Sequence, residues 1–386
     1  MEHEVFWKNP GYEARPELKQ DIDCEYLVVG GGVTGVSSAY FLAKSGAKNI
    51  VLIEKNHIAS GATGKAAGTL VIRGESDLAD IIEKYGEEKG CVYWNEIHEG
   101  LRDIKRVIKD ENIDCDAEPQ DTLYCDFKYK SHVDLHQEYL AEKLIETTTK
   151  FLAKDELQKE INTPLFAHGI LSANHGLSVN PLSLTQNLSK ILEKYGVKIY
   201  ENTALINHED GIAKTANGDI RYKKLIMAID ADHPAAEVKN LKSTIIVTRP
   251  LTRAELEKTG LAKLKIIFDS KKHYNYLKIT KDSRLLAGFG GIVVNKKNKK
   301  TEPHPLHINT IKKFIKKLFP YLDLEPEYAW SGTFGTTKDY GPFLEFKKNQ
   351  ISIAGASTQV VCFMTAKYAV NKILGRPSSL EGFFDI

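Results

Sequence analysis

Residues 25–55, EYLVVGGGVTGVSSAYFLAKSGAKNIVLIEK, decide how the rest of the chain is read. Glu25 to Val29 is a short apolar run rich in strand-forming side chains, and it ends in Gly30-Gly31-Gly32. Over 34–45, Val36, Ala39, Tyr40 and Ala43 recur at helical spacing, and Gly46 stops the helix. Asn49 to Ile53 reads as a second buried strand, ending in Glu54. Strand, helix, strand in this order form a βαβ unit, whose right-handed crossover lays the two strands parallel. The pattern Gly30-x-Gly32-x-x-Gly35 at the strand-to-helix turn, followed by an acidic residue closing the next strand, is the arrangement that a dinucleotide needs. Gly30 permits the tight turn, Gly32 lets backbone N–H groups approach a pyrophosphate, and Gly35 lets helix and strand pack closely. The helix N-terminus favours the phosphate charge, and Glu54 is placed to accept hydrogen bonds from ribose hydroxyls.

NAD and FAD share this fingerprint. The choice between them turns on the next segment, Ser60-Gly61-Ala62-Thr63-Gly64-Lys65-Ala66-Ala67-Gly68, a run of small residues suited to a loop pressed against a flat ligand. Further out, 1–22 is polar and punctuated by Pro10, Gly11 and Pro16, as in an extended arm lying on the surface. Residues 78–112 carry one or two amphipathic helices, 121–175 reads as helices around Pro164, and Asn180-Pro181 opens a helix running through 192. A hairpin turns at Asn217-Gly218 before a buried strand at 225–229. Alternating strands fill 243–295, notably 273–280 and 284–288. An amphipathic helix covers 309–319, and a strand at 351–354 leads through Gly355 into a helix at 360–374.

Composition fits a soluble, enzyme-sized globule: 386 residues, 42% hydrophobic and 27% charged. Lys+Arg 53 against Asp+Glu 51 leaves a net charge of +2, so no global field would hold nucleic acid, and none is expected as a partner. The five cysteines, Cys24, Cys91, Cys115, Cys125 and Cys362, have no metal-site spacing and read as free thiols in a reducing compartment. No metal is expected. The N-terminus lacks the basic start and apolar run of a secretion signal, and no apolar stretch approaches the ~18 residues of a membrane helix. The expected location is cytoplasmic, with peripheral membrane attachment open.

Five blocks of the chain, in order, resemble the D-amino-acid oxidase superfamily of FAD-dependent oxidoreductases, in the style of its gamma-glutamylputrescine oxidase and sarcosine oxidase-like branches. They are VFWKNPGYEARPEL, the βαβ stretch above, ASGATGKAAG, LSVNPLSLTQNLSKILEKYGVKIYENTAL and DYGPFLEFKKNQISIAG; KLIMAIDADHPAAEV and IIVTRPLTRAEL add two more. The resemblance implies an α/β fold in which a Rossmann-type FAD-binding domain is interleaved with an α+β substrate domain built on a large mixed sheet. It places residues 1–20 in an N-terminal arm, 21–75, 170–235 and 335–386 in the FAD domain, and 76–169 and 236–334 in the substrate domain.

Carried over residue by residue, the resemblance puts Gly30, Gly32, Gly35, Glu54 and Lys55 at the ADP half of FAD. Ser60, Thr63, Gly64, Lys65 and Gly68 fall on the loop beside the pyrophosphate and flavin. Leu205 would meet the adenine through its backbone, and Gly355, Ser357, Thr358, Gln359 and Val360 would cap the pyrimidine end, where a helix N-terminus favours charge on the reduced ring. For Leu205 and Val360, plain core packing is an equal reading. Relatives that bind flavin covalently use a cysteine or a histidine where this chain has Gly332 and Lys65, so the FAD is expected to be non-covalent. Leu286 stands where sarcosine oxidases carry the lysine that promotes reaction with oxygen, which leaves the acceptor as either oxygen or a quinone or dye-type carrier.

At the substrate, Arg73 resembles the arginine that meets a carboxylate, a task that suits its planar fork. His273, Tyr274 and Tyr276 lie on a strand expected to face the flavin, with the two tyrosines on one face. Arg249 and Arg253 read as structural. The implied reaction is oxidation of the C–N bond of a small amine or amino acid by hydride transfer to flavin N5. Two alternatives stand beside it: a flavin dehydrogenase of a hydroxy acid or polyol phosphate that passes electrons to a quinone or carrier, with His273 as its base, and a flavoprotein subunit of a hetero-complex.

Overall fold

The computed structural model describes the chain except for residues 74–75, 128–134, 146–147, 264, 271–273, 296–301, 339–340, 357 and 385–386. Two sheets organise it. The first is built on β1 (Ile22–Val29), α1 (Val33–Lys44) and β2 (Ile50–Ile53), the expected βαβ unit. β1 pairs in parallel with β2 and, on its other side, with the strand Asp219–Met227, so Val29 lies between Ile53 and Met227. Lys198–Tyr200 extends the sheet past β2. Gln350–Ala354 and Phe343–Lys347 extend it past Asp219–Met227, and a hairpin of Asn207–Glu209 with Ile212–Lys214 hangs from that strand. Strands buried on both faces read as near-continuous apolar runs, and β2 is buried at all four positions. α1 and the C-terminal helix Gln359–Ile373 pack together over one face.

The second sheet is mixed and, among the described residues, nine-stranded. Its central order runs Pro326–Thr336, Lys239–Pro250, Arg284–Val294, Asn275–Ile279, Lys265–Asp269, Glu118–Phe127, Phe166–Ser178 and Thr69–Val71, with Thr149–Leu152 beside Phe166–Ser178. Lys265–Asp269 runs parallel to Glu118–Phe127, whereas the other pairings in this sheet are antiparallel. The strands Thr69–Val71 and Phe166–Ser178 place the end of segment 21–75 and the start of segment 170–235 in the second sheet, so the chain changes sheets just beyond Gly68. The helix Pro305–Leu318 covers the outer face.

Two expectations change. The stretch 121–175 contains helices Leu135–Lys143 and Lys154–Glu160, but its flanks are the long strands Glu118–Phe127 and Phe166–Ser178. Their pairing partners lie far away in sequence, and that pairing overrides local helical spacing. The N-terminal arm is also more than a surface strap. Trp7, Arg15 and Leu18 are buried, and Glu2 bridges to Tyr328 at the edge of the second sheet.

Candidate functional site

A single cavity of about 1060 Å³ runs between the sheets, from the glycine turn after β1 to the inner wall of the second sheet. That volume matches the upper range of small-molecule sites. At one end stand Gly30, Gly31, Gly32, Glu54, Lys55 and the segment 203–205. Gly30 has φ +113°, and a Cβ there would lie 2.2 Å from the Ala228 carbonyl oxygen. A Cβ on Gly35 would lie 1.9 Å from the Gly30 oxygen, so the helix can approach the turn only because hydrogen stands there. Gly32, the residue before α1, has no side chain to cap it and the first turn holds no acidic residue, which leaves the positive end of the helix dipole, and the amides beyond Val33, for an anion. Glu54 accepts from Gly31 N at 2.7 Å and Asn56 N at 2.9 Å, which fixes its carboxylate at the cavity wall. Lys55 pairs with Asp232 across this end.

The loop after Glu54 forms the middle of the cavity through Ser60, Thr63, Lys65 and Gly68. Thr63 Oγ1 accepts from Val33 N at 3.0 Å, tying the loop to the start of α1. Three buried donors hold the loop from behind. Trp330 Nε1 donates to the Lys65 carbonyl, Trp7 Nε1 to the Ala66 carbonyl and Lys278 Nζ to the Gly68 carbonyl, each at 2.8 Å. Lys278 also reaches Ser178 Oγ at 2.8 Å and the Val179 oxygen at 3.3 Å, and burial pulls its pKa down to about 7. Its three acceptors suit the three hydrogens of an ammonium. Lys65 lines the cavity half-buried, and burial lowers its pKa. A Cβ on Gly332 would sit 3.1 Å from Lys65 Cβ, so the two positions read against covalent attachment, far apart in sequence, are neighbours in space.

The start of the helix Gln359–Ile373 also faces the cavity through Thr358, Gln359 and Cys362. Thr358 caps that helix by accepting from Val361 N at 3.2 Å. Burial drives the Cys362 thiol up to about 12. Asp230, which the sequence reading passed over, accepts from Gly335 N at 3.0 Å and Gly355 N at 3.2 Å, and so joins the end of the second sheet to the turn before this helix. Its positive φ of 42° is a strained local choice, and burial raises its pKa. Gly35, Gly64 and Gly355 support the walls from outside the lining. Val360 lies fully buried in the core, whereas Leu205 does line the cavity. His273 and Ser357 lie outside the described residues.

Fitting this space with a flavin dinucleotide leaves polar groups to be used. Gln359 Oε1 and both amide atoms of Asn240 are buried at the cavity without a hydrogen-bond partner among the described residues. Such groups are costly unless something else satisfies them. With the uncapped α1 terminus and the glycine turn, they fit an elongated ligand carrying phosphate and a polar ring edge.

At the far end the second sheet supplies aromatic and charged groups. Tyr274 and Tyr276 both line the cavity with ring centroids 6.1 Å apart, beside Phe268 and Tyr124. Tyr276 lies over Gly288, where a Cβ would meet its ring at 2.0 Å, and its hydroxyl is 3.3 Å from Ser243 Oγ. Arg73 reaches this wall as expected, but its guanidinium is engaged by protein carboxylates. It pairs with Asp77 and Glu142, contacts Glu138 at 2.8 Å, and lies 4.1 Å above the Tyr124 ring. Burial works against its charge, but Glu138, Glu142 and Asp77 outweigh it and raise its pKa. Burial also raises Glu138, which Arg73 only partly offsets. Glu138 further accepts from Leu78 N and Ala79 N at 3.1 and 2.8 Å, capping the helix Leu78–Tyr85. Arg249 and Arg253 form ion pairs with Glu255 and Glu257 away from the cavity.

Comparison with known proteins follows this geometry. The family model described as FAD dependent oxidoreductase matches residues 25–368. A gamma-glutamylputrescine oxidoreductase of Escherichia coli (strain K12) is 29% identical over 329 residues, which cover 82% of this chain and 75% of that protein. Among solved structures, an L-proline dehydrogenase from P. horikoshii superposes with TM-score 0.79 at 17% identity, covering 96% of this chain and 97% of that one. A glycine oxidase from Geobacillus kaustophilus gives TM-score 0.78 at 18% identity, covering 94% and 98%. These two likenesses establish a shared fold.

Proposed function

Since this chain belongs to the family of FAD-dependent oxidoreductases, we propose that it oxidises the C–N bond of a small amine or amino acid and holds its FAD without a covalent bond. The observation that carries this reading is the continuity of the cavity, from the Gly30–Glu54 end that suits the ADP half to the Tyr124–Tyr274–Tyr276 end that suits a small organic substrate. FAD bound there would supply the acceptor for the hydride that leaves the carbon bearing the amine, and water would hydrolyse the resulting imine.

The chain's own residues supply position and environment. Glu54 and the α1 terminus would hold the ribose and pyrophosphate. The loop Ser60–Gly68, with its carbonyls turned outward onto Trp330, Trp7 and Lys278, would present its inner face to the ring. Thr358 and Gln359 would meet the pyrimidine edge. Tyr274, Tyr276, Tyr124 and Phe268 exclude water from the reacting carbon and orient it. No dedicated base is required when the amine enters neutral. The alternative of hydroxy acid or polyol oxidation calls for a base, for which the sequence offers His273, outside the described residues. A purely electron-relaying subunit has no use for the aromatic compartment. Gly332 and Lys65 at the attachment positions favour releasable FAD.

The test is to precipitate the yellow protein with acid, expecting FAD in the supernatant, and to add amines, amino acids and hydroxy acids anaerobically to the intact holoenzyme. Bleaching by a nitrogen-bearing substrate is the expected outcome. Bleaching by hydroxy acids alone would overturn the reading.

A further inference from the structure

We infer that the far end of the cavity selects a cationic substrate: an amine that carries a second ammonium group and no carboxylate, with the non-reacting ammonium seated at Asp77 and Asp80. The inference rests on the amine-oxidising reading above and narrows it. An arginine in a flavoenzyme pocket invites a substrate carboxylate, but Arg73 already faces three carboxylates, and Tyr124 covers one flat side of its guanidinium. An incoming carboxylate would have to displace an ion pair inside the protein and leave a buried anion without its cation, an exchange that is strongly unfavourable.

What remains for a ligand is the opposite charge. Asp77 and Asp80 both line the cavity, and no cation pairs with Asp80 among the described residues. Even without the charge of Glu138, which burial raises to about 8, Asp77, Asp80 and Glu142 outnumber the Arg73 guanidinium among the described residues at this end. The walls between this acidic end and the flavin loop are the aromatic groups Tyr124, Phe268, Tyr274 and Tyr276. Aromatic faces attract an ammonium and give nothing comparable to a carboxylate. The half-buried Lys65 stands beside Gly332 on the loop Ser60–Gly68. A diamine therefore binds with one nitrogen neutral at the flavin and the other charged at the acidic end.

A matched series tests this: 1,4-diaminobutane, butylamine, 4-aminobutanoate and 2-aminopentanoate, with diamines of three to eight carbons to find the best span. Each is titrated into the oxidised holoenzyme, with binding read by calorimetry and by perturbation of the flavin absorption, and then mixed anaerobically to read bleaching. The best diamine should bind at least about tenfold more tightly than butylamine, and the two carboxylates more weakly than butylamine. Asp80→Asn, at an exposed position in the first turn of the helix Leu78–Tyr85, should retain FAD and remove about tenfold of the diamine's advantage. Carboxylate ligands binding as tightly as diamines, no binding by any member, or a diamine advantage untouched by Asp80→Asn would each overturn the inference. Selective diamine binding without bleaching would uphold the charge selection and refute amine oxidation. Tighter binding and bleaching by 2-aminopentanoate would do the reverse.

Discussion

Gly35 concentrates the packing requirement of the nucleotide end in one hydrogen atom. A methyl group there would lie 1.9 Å from the Gly30 carbonyl oxygen, a backbone atom that cannot swing aside. Gly35→Ala should therefore push α1 away from the turn, cost about 1–3 kcal/mol of stability, and yield protein with little FAD. The ratio of flavin to protein absorbance and a thermal melt would read it, and wild-type values in both would refute the close-approach argument. Lys278 makes a different demand, because its buried ammonium has a pKa pulled from 10.5 to about 7. In the unfolded chain the same amine keeps its ordinary value, so between about pH 7 and 10.5 the unfolded state binds more protons and stability rises with pH. The contribution is fully present above the unfolded value and is lost as pH falls towards 7. The slope is at most about 1.4 kcal/mol per pH unit, and the three hydrogen bonds that favour the charged form make it smaller. Denaturant titrations at pH 7, 8 and 9 should show a positive slope in the wild type that flattens in Lys278→Met. An equal slope in both proteins would mean that Lys278 titrates normally.

Among the elements, the loop Ser60–Gly68 shows how distant parts of the chain build one surface. It has almost no side-chain bulk of its own, and its conformation is fixed through the carbonyls of Lys65, Ala66 and Gly68. Their donors lie 265, 59 and 210 residues away in sequence. Trp330→Phe keeps an aromatic ring, though a smaller one, and removes the indole N–H, leaving a part-buried carbonyl without its donor at a cost of about 1–3 kcal/mol. The expected result is weaker FAD binding together with a shifted flavin absorption band, measured by titrating FAD into apoprotein. A change in thermal stability with the FAD dissociation constant unmoved would show that the loop does not depend on this bond.

The same loop marks the limit of what the sequence discloses. The unit β1–α1–β2 is legible because glycine spacing, strand apolarity and the acidic terminus are all local. So is the helix opened by Asn180-Pro181, whose Asn180 side chain accepts from Ser183 N at 3.1 Å. The strands Glu118–Phe127 and Phe166–Ser178 are not legible, since they gain their partners only in the assembled sheet. Trp7, Trp330, Lys278 and Asp230 carry no local pattern at all. Arg73 could be placed at the cavity from sequence, but its partners Glu138 and Glu142, on the helix Leu135–Lys143, could not.

At the scale of the whole molecule, the question is what keeps the two sheets and the flavin loop in one arrangement. Part of the answer is the N-terminal arm, fastened at several points. Glu2 exchanges backbone hydrogen bonds with Glu327 and Ala329 on the edge strand of the second sheet, and Trp7 reaches the flavin loop. Farther along, the arm meets Glu201, a fully buried carboxylate just beyond the strand Lys198–Tyr200 of the first sheet. Glu201 accepts from the Tyr12 hydroxyl and the Arg15 amide on the arm and from the Ile58 amide at the entrance to the flavin loop. Arg15 then turns to Glu193 at 3.0 Å. One carboxylate thus joins arm, sheet and loop. Three donors with a single acceptor group make its removal costly, because each is left in a place that water does not reach easily. Glu201→Ala should cost about 3–5 kcal/mol, in the range for breaking a buried charged network. Because the carboxylate is shared, the loss should surface as early release of FAD on heating, before global unfolding, with the arm becoming sensitive to protease near Tyr12. Glu201→Gln keeps an acceptor oxygen for part of the set and should fall between the two. Protease resistance of the arm with normal flavin release in Glu201→Ala would show that Trp7 and the Glu2 pairing hold the arm unaided. Release of FAD only together with global unfolding would show that the arm stabilises the fold without governing the flavin loop.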